Sequence, residues 1–401
     1  MDENIFKRLI IKIKKIKESN DFYSEKYKNV SLDEINTIEE FKNKIPLLHK
    51  NEIFDKRNID KILVYEDGAI FPSAGTTDSI NFSFRYQLNN SNREFNEQLI
   101  RLFDLWFSIT KRKTLIINTY PLGVFFPEGP YTVVNTNIRD DIIIYVLDFV
   151  SPKYENIIIV GQPHFIKHLI DLPEFNKLKI NRGTIKFVLG GTWFPYTFEI
   201  YILKKLFGQE WRFYFDSIKS TYGTAENGLG VLLDFPKNLR KYLSEEKLDE
   251  IVPLVYQYDP RRFYIEEINN DLVITNLEKS NPELIRYNTE DKIKMPEIEG
   301  LPKKIKECLV NNIVYLHGRG KDYQRNAKIM HNLFLDFEYA EMITGNFHLN
   351  EKHTLCIQLN PNVAKAKKIS DYFLSIFKID VEIVEYDKYK FKKSLDRKQD
   401  L

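Results

Sequence analysis

The chain has 401 residues, with 59 Lys and Arg against 57 Asp and Glu and a formal net charge of +2. That balance excludes binding to nucleic acid or to a membrane surface by bulk charge, and the length, with 43% hydrophobic residues, provides for two or three domains around a large core. Two cysteines, Cys308 and Cys356, exclude a disulfide framework or a cysteine-only zinc site, and no apolar run has signal or membrane-spanning length, so a reducing cytoplasm is expected.

Residues 1–20 set Ile5, Leu9, Ile13 and Ile16 at helical spacing, which predicts a basic amphipathic helix packed on the main body. In Ile45-Pro-Leu-Leu-His-Lys-Asn-Glu-Ile53, Pro46 stops the preceding helix and Asn51 is placed to cap the next. The stretch Phe71-Pro-Ser-Ala-Gly-Thr-Thr-Asp-Ser-Ile80 then gathers small hydroxyl residues around one glycine and runs into an alternating strand pattern through Phe82, Phe84 and Tyr86. Small side chains at Ser73, Gly75, Thr76 and Thr77 let backbone N–H groups and hydroxyls converge on anionic oxygens, as a polyphosphate requires; a plain surface hairpin has the same composition. It is not the nucleotide loop that ends in Gly-Lys-Ser/Thr.

Residues 90–110 predict a long helix with Leu99, Leu102, Phe103, Trp106 and Phe107 on its apolar face, followed by a buried strand at Thr114–Asn118. The loop 119–131, rich in Gly, Pro and aromatics, shapes an apolar pocket or packs on the core. Strands are expected at Ile142–Leu147 and Ile157–Val160, alternating with helices at 163–171 and 195–207, a pattern that gives an α/β sheet with helices on its faces. A further strand ends in Gly190-Gly191. Ligands of open α/β sheets sit beyond such ends, and these glycines suit either the close approach of a flat adenine or a tight turn.

In Ser220-Thr-Tyr-Gly-Thr-Ala-Glu226, Tyr222 can stack on a base and Glu226 is a hard oxygen ligand suited to Mg²⁺; a core tyrosine and a solvated glutamate fit equally. Asp291 ends a strand-like run, as an acceptor for ribose hydroxyls or as one half of a surface salt bridge. In Leu316-His-Gly-Arg-Gly-Lys-Asp322, Gly318 and Gly320 free the backbone around Arg319, which fits a hinge with Arg319 reaching a nucleotide. Beyond residue 323, strands at Leu355–Leu359 and Val381–Val384 flank a helix at Val363–Phe377, giving a small α+β unit before a basic terminal segment.

Together these stretches resemble the adenylate-forming superfamily of acyl-CoA synthetases, peptide-synthetase adenylation domains and luciferases, and within it the phenylacetate-CoA ligase branch. The residues 45–53 look like that branch's Leu-Pro-Phe-x-x-Lys-x-Asp segment, and Ser73-Ala-Gly-Thr-Thr77 is similar to its Ser-Ser-Gly-Thr-Thr phosphate loop. Tyr222-Gly-Thr-Ala-Glu226 resembles Tyr-Gly-x-Thr-Glu, Arg286-Tyr-Asn-Thr-Glu-Asp291 resembles Arg-Tyr-Arg-Thr-Gly-Asp, and Gly318-Arg-Gly-Lys-Asp322 matches Gly-Arg-x-x-Asp. Tyr389-Lys-Phe-Lys-Lys-Ser-Leu-Asp396 is similar to the terminal Gly-Lys-x-Lys-Arg-x-x-Asp. The chain departs from the pattern at Asp78, where the family has Gly and then Lys, at Thr192, Ala225, Glu290 and Tyr389.

The resemblance implies a large N-terminal domain of mixed sheets flanked by helices, residues 1–317, and a small mobile α+β domain, residues 318–401, joined by a hinge at Lys321 and Asp322. It implies ATP- and Mg²⁺-dependent adenylation of a carboxylic acid, then transfer to a thiol of coenzyme A or an acyl-carrier protein. Lys390 would be the catalytic lysine, with Lys392 the second choice, and Glu226 and Thr76 would hold Mg²⁺. ATP would meet Ser73, Gly75, Thr76, Thr77, Gly190, Gly191, Tyr222, Gly223, Thr224, Asp291 and Arg319. Tyr120, Phe125, Phe126, Trp193 and Phe194 would line an acyl pocket for an aryl or medium apolar acid, or are ordinary core aromatics. No nucleic-acid or membrane partner is expected, and the relatives suggest a homodimer. Two alternatives stand beside this reading. One is an acyl-protein synthetase with Cys356 as acceptor, if that cysteine does not simply pack in a strand. The other is a non-catalytic nucleotide-binding homologue, for which Asp78 and Glu290 speak.

Overall fold

Runs such as Leu115-Ile-Ile117, Ile157-Ile-Ile-Val160 and Phe187-Val-Leu189 are short, β-branched and without a polar face, so they suit strands covered on both sides. In the computed structural model of the chain they are fully buried. The structure describes residues 3–55, 57–62, 68–72, 83–88, 93–120, 126, 128–246, 251–308, 312–361, 363 and 366–386.

The described strands are, in chain order, β1 Gly68–Pro72, β2 Phe84–Leu88, β3 Thr114–Asn118, β4 Thr132–Asn135, β5 Asn156–Gly161, β6 Ile185–Leu189, β7 Ile218–Thr224, β8 Gly228–Leu233, β9 Leu254–Gln257, β10 Phe263–Ile268, β11 Asp271–Asn276, β12 Tyr287–Lys294, β13 Ile313–Arg319, β14 Ile343–Leu349, β15 Leu355–Leu359 and β16 Val381–Val384. Among the described residues, β1 and β2 form an antiparallel pair, and β14-β15-β16 form a small sheet. The remaining eleven form one sheet in the order β10-β11-β12-β13-β9-β8-β7-β6-β5-β3-β4.

One half of the large sheet, β4-β3-β5-β6-β7, is parallel, and the other half is antiparallel. The change falls on β7. Its first residues pair in parallel with β6, Phe187 with Ile218 through Leu189 with Ser220, and its later ones pair antiparallel with β8, Thr221 with Leu233. The carboxyl ends of the parallel strands therefore meet the start of the antiparallel half, the kind of crevice in which open sheets place ligands.

Helices cover the parallel half as the alternation predicts, at Arg93–Phe107, Pro163–Asp171 and Tyr196–Phe207. Helix Glu3–Ser19 buries Leu9, Ile13 and Ile16 in a separate core with Tyr23, Phe41, Leu284 and Tyr287. Four local expectations need correction. Ile142–Leu147 is helical rather than a strand: helix Asp140–Tyr145 runs into a π turn at Val146–Val150. Ile143, Val146 and Leu147 turn inward at i, i+3 and i+4 spacing, and Asp140 and Asp141 suit the helix N-terminus. Asn51 does not cap; it lies inside helix Lys50–Ile53, whose N-cap is His49, with the His49 N–H donating to Glu52 at 2.8 Å. Asp291 lies within β12 rather than at its end, because the strand continues three residues to Lys294. The last helix starts at Ala366.

The C-terminal elements also include helix Tyr323–Leu333, which starts directly after Asp322, and β14, neither of which stood out in the sequence. The expected boundary at 317/318 falls inside β13. These elements dock closely on the large sheet's helices. Phe334 packs edge-on to Phe198 at 5.0 Å and beside Tyr201 at 5.8 Å. Lys167, with no exposed side-chain surface, donates to Asp171 at 2.6 Å and to the carbonyl of Ile343. Asp171 also accepts from Tyr201 and from Asn360, the latter at 3.0 Å. Burial works against the Lys167 charge and lowers its pKa, with Asp171 opposing the shift. The ion pair lies within one helix, and the Ile343 carbonyl and the Asn360 amide tie it to the C-terminal elements, so separating them would leave these buried polar groups short of partners. No helix among the described residues is long and apolar enough to cross a membrane.

Candidate active site

The parallel strands end side by side, and each end contributes to one corner. Beyond β3 stand Thr119 and Tyr120, beyond β5 Gln162, beyond β6 Gly190 and Gly191, and beyond β7 the hairpin that carries Glu226. Gly190 packs so tightly that a Cβ there would lie 2.5 Å from the Tyr120 hydroxyl and 2.8 Å from the Thr221 carbonyl. Gly191 has φ +88° and faces Gln162 and the Tyr120 ring. The glycine pair thus lets Tyr120 and the β7 backbone close the corner. The Tyr120 hydroxyl is buried there without a hydrogen-bond partner among the described residues, and burial raises its pKa. Trp193 donates its indole N–H to the Leu316 carbonyl at 3.1 Å and is half-buried beside β13. Phe194 is fully buried under Arg240, whose guanidinium carbon is 5.4 Å from its ring centroid, so Phe194 is core and not a pocket wall.

Two carboxylates flank the switch between the halves of the sheet. Asp291 on β12 lies directly across from Arg319 on β13. The Tyr222 hydroxyl donates to Asp291 Oδ2 at 2.5 Å, and Arg319 Nε lies 3.9 Å from Oδ1. Burial, then the Asp291 charge, pushes the Tyr222 pKa well up, so the phenol remains a donor. Burial opposes the Arg319 charge, but Asp291, Tyr222, Glu226 and Glu290 outweigh it and raise the guanidinium pKa. Glu226, in the tight turn between β7 and β8, is buried and accepts from the Tyr287 hydroxyl at 3.2 Å. Gly223 and Thr224 complete the strand that leads into that turn, and Thr224 accepts from the Asn227 N–H at 3.1 Å. Tyr222, Asp291 and Arg319 are therefore in contact across some hundred residues of sequence, and Glu226, held by Tyr287, acts on Arg319 through its charge.

Glu290 departs from the family's glycine, yet its backbone keeps the conformation that glycine favours, with φ +63°. The Glu290 N–H donates to Asn288 Oδ1 at 2.8 Å and the Asp291 N–H to Thr289 Oγ1 at 3.2 Å, which hold the turn that presents Asp291. A non-glycine residue there is strained. Glu290→Gly is therefore expected to stabilise the protein by roughly 0.5–1 kcal/mol, once the extra freedom of glycine in the unfolded chain is subtracted. A urea midpoint measured on both forms checks this; an unchanged or lower midpoint would show that the Glu290 side chain compensates.

Arg286, the first residue of the same motif, turns away from the site. It is buried, forms a two-pronged pair with Glu266 at 3.1 and 3.0 Å, and donates to the carbonyls of Lys42 and Ile45. It ties the Ile45-Pro46 segment to β12, which Leu48 reinforces through its N–H to the Arg286 carbonyl at 2.9 Å. Lys321 and Asp322 follow β13 in the turn before helix Tyr323–Leu333, and Asp322 pairs with Arg325 at 3.2 Å. Ser73, Gly75, Thr76, Thr77, Asp78, Phe125, Lys390 and Lys392 lie outside the described residues. The strands β1 and β2 that bracket residues 73–77 are described, with Pro72 opposite Phe84.

Solved structures share this fold. 2-Hydroxyisobutyryl-CoA ligase in the postadenylation state, in complex with R3-HIB-AMP, superposes with a TM-score of 0.65 at 12% identity, covering 96% of this chain and 86% of that one. The chain has the adenylate-forming ligase fold. The same ligase in an open conformation, in complex with 2-HIB-AMP and CoA, is similar at a TM-score of 0.54 and 13% identity, covering 96% of this chain and 88% of that one. No family model and no curated protein matches the chain. Tyr287, which holds Glu226, and Arg85, which abuts Gly228, are neighbours of this corner that sequence reasoning passed over. Tyr287 sat in a quoted motif without a role. Arg85 is the charged residue in the alternation around Phe84 and Tyr86, out of phase with the aromatics and so on the opposite face of β2.

Proposed function

We propose that the protein adenylates a carboxylic acid with ATP and passes the acyl group to a thiol. The observation that carries this is the linked Tyr222–Asp291–Arg319 and Glu226–Tyr287 arrangement at the sheet's switch point, within an adenylate-forming fold. In this reading a carboxylate oxygen attacks the α-phosphorus, the bond to the bridging oxygen breaks, and the electron pair leaves with pyrophosphate. Asp291, fixed by the Tyr222 hydroxyl and Arg319, accepts hydrogen bonds from the ribose hydroxyls. Gly190 and Gly191 wall the base. The small residues Ser73 to Thr77 grip the outer phosphates, and Lys390 balances the charge that builds on the α-phosphate oxygens.

Glu226 fits a Mg²⁺ role by its chemistry. It is a buried hard-oxygen ligand oriented by the Tyr287 hydroxyl, and Mg²⁺ is commonly held by one or two carboxylates plus phosphate. Glu226 and Thr76 would hold the ion, which supplies charge neutralisation at the phosphates when bound.

The acyl group is assigned to the corner at Tyr120 and Trp193. A surface cavity of about 400 Å³ lined by Phe126, Glu128, Gly129, Tyr131 and Val133 lies in the same aromatic cluster. The aromatic side chains of that cluster, rather than the cavity's mixed lining, are the reason we favour an aryl or medium apolar acid. The acceptor we favour is coenzyme A or a carrier-protein thiol. Cys356 is buried in β15, and burial together with Glu382 raises its thiol pKa, so it packs as a strand residue and is a poor acyl acceptor. Incubation with ATP, Mg²⁺ and a panel of aryl and aliphatic acids, followed by mass spectrometry, is expected to show acyl-AMP with at least one acid. Acyl-AMP absent across the panel, with ATP bound normally, would favour the non-catalytic alternative.

A further inference from the structure

At the amino ends of β3, β6 and β7, a strand's length from the corner at Tyr120 and Glu226, lies a second surface cavity, of about 320 Å³. That volume is at the lower end of the range that holds small organic ligands. β7 runs seven residues from Ile218 to Thr224, roughly 20 Å at about 3.3 Å per residue, so a ligand here does not touch one at the carboxyl ends. Aromatic rings wall one side. Helix Arg93–Phe107 brings Trp106 and Phe107 to it, and the 3₁₀ segment Gly208–Ser217 brings Phe213 and Tyr214. Phe207 stacks on Tyr214 at 3.8 Å, which pins that segment, yet Phe213 beside it is 87% exposed. A phenyl ring held at the rim of a cavity offers its face to a flat ligand.

The other side is cationic. Lys186 on β6 donates to the Gly183 carbonyl at 2.9 Å and to Ser217 Oγ at 3.1 Å, both neutral acceptors, so its charge is held in place but not neutralised. Burial, then the nearby Arg112 charge, lowers the Lys186 pKa, with Asp216 opposing. Arg112 is exposed, and its guanidinium makes no hydrogen bond or ion pair among the described residues. Asp216 lines the cavity too, but its Oδ1 accepts from the Asn238 N–H at 2.8 Å and lies 3.4 Å from Nζ of Lys219, a fully buried ammonium. Setting Asp216 against Lys219 leaves Arg112 and Lys186 as two unopposed positive charges beside aromatic walls. We infer that this cavity is a second binding site, for a small aromatic carboxylate, with Arg112 as the direct partner of the carboxylate and the ring held between Phe213 and Trp106. A guanidinium fork matches two carboxylate oxygens, and Lys186 adds its charge from where it stands. No bond is made or broken here. The inference stands apart from the adenylation reading, since it uses none of the residues at the carboxyl ends of the strands.

Two of the chain's tryptophans make the test direct, because Trp106 lines this cavity and Trp193 stands at the corner assigned to the acyl group. The full chain is labelled with fluorotryptophan, its fluorine NMR signals are assigned through Trp106→Phe and Trp193→Phe, and benzoate and its neutral counterpart benzamide are titrated. Benzoate is expected to move the Trp106 signal saturably, and benzamide to bind there at least about tenfold more weakly. Arg112→Gln should weaken benzoate at Trp106 roughly tenfold, and Arg112→Lys should recover part of that loss, while any response at Trp193 stays as in the wild type. Phe213→Ala should weaken it roughly 3- to 10-fold through loss of the ring contact. Both positions are exposed, so these variants keep the core. A Trp106 signal that does not move, that responds equally to benzamide, or that keeps its wild-type affinity in Arg112→Gln would overturn the assignment. A response missing at Trp193 alone bears on the acyl corner and leaves this site standing.

Discussion

Lys390→Ala is expected to slow acyl-adenylate formation by roughly 10²–10³-fold, the usual effect of removing one preorganised donor to a developing charge. ATP affinity should change by less than about twofold, because in the proposed reading other groups grip the outer phosphates and the ribose. The described C-terminal unit ends at Tyr386, whose ring stacks parallel to His168 at 6.4 Å on helix Pro163–Asp171. Lys390 is four residues further, and four residues span at most about 14 Å. Rapid-quench measurement of acyl-AMP on wild type, Lys390→Ala and Lys392→Ala decides the assignment. A slow Lys392→Ala beside a normal Lys390→Ala would move the role by two residues, and two normal variants would remove it from this segment.

Arg286→Ala should destabilise the protein by about 3–5 kcal/mol, the cost of stranding one member of a buried ion pair. The variant leaves Glu266 buried without its partner, and burial already raises the Glu266 pKa against the pull of Arg286. It also leaves the Lys42 and Ile45 carbonyls without their donor. Arg286→Lys should recover less than half, because an ammonium cannot serve both carboxylate oxygens and the two carbonyls from one rigid fork. Urea denaturation followed by tryptophan fluorescence gives the number. A loss below about 1 kcal/mol for Arg286→Ala would mean that the clamp contributes little, and that the motif's arginine acts at the ligand instead.

Arg286 also illustrates what the sequence could and could not tell. The strands at Thr114–Asn118, Leu355–Leu359 and Val381–Val384 were legible to the residue, because a short aliphatic run bounded by polar turns has few other folds. Ile142–Leu147 has the same composition and is helical, since a buried stripe at i, i+3 and i+4 cannot be told from a strand in six residues. Motif spacing pointed to Tyr222, Glu226, Asp291 and Arg319 but not to how they meet. The hydroxyl of Tyr222 on Asp291 depends on β7 and β12 lying in one sheet with three strands between them, a long-range pairing that no local pattern encodes. The Glu290 departure stood out by residue type, and the structure holds that residue at φ +63°, a conformation that its side chain strains. The close docking of the C-terminal elements was invisible for a similar reason: Lys167 reads as a solvated helix charge until β14 supplies its carbonyl partner.

The most direct test of the central claim is exchange of labelled pyrophosphate into ATP, measured with and without each acid of the panel. The account predicts exchange that requires both Mg²⁺ and one acid, and that falls at least tenfold in Asp291→Ala and Glu226→Ala, measured at a temperature at which both variants are still folded. Exchange absent with every acid although ATP binds, or exchange that persists undiminished without Glu226 and Asp291, would contradict it.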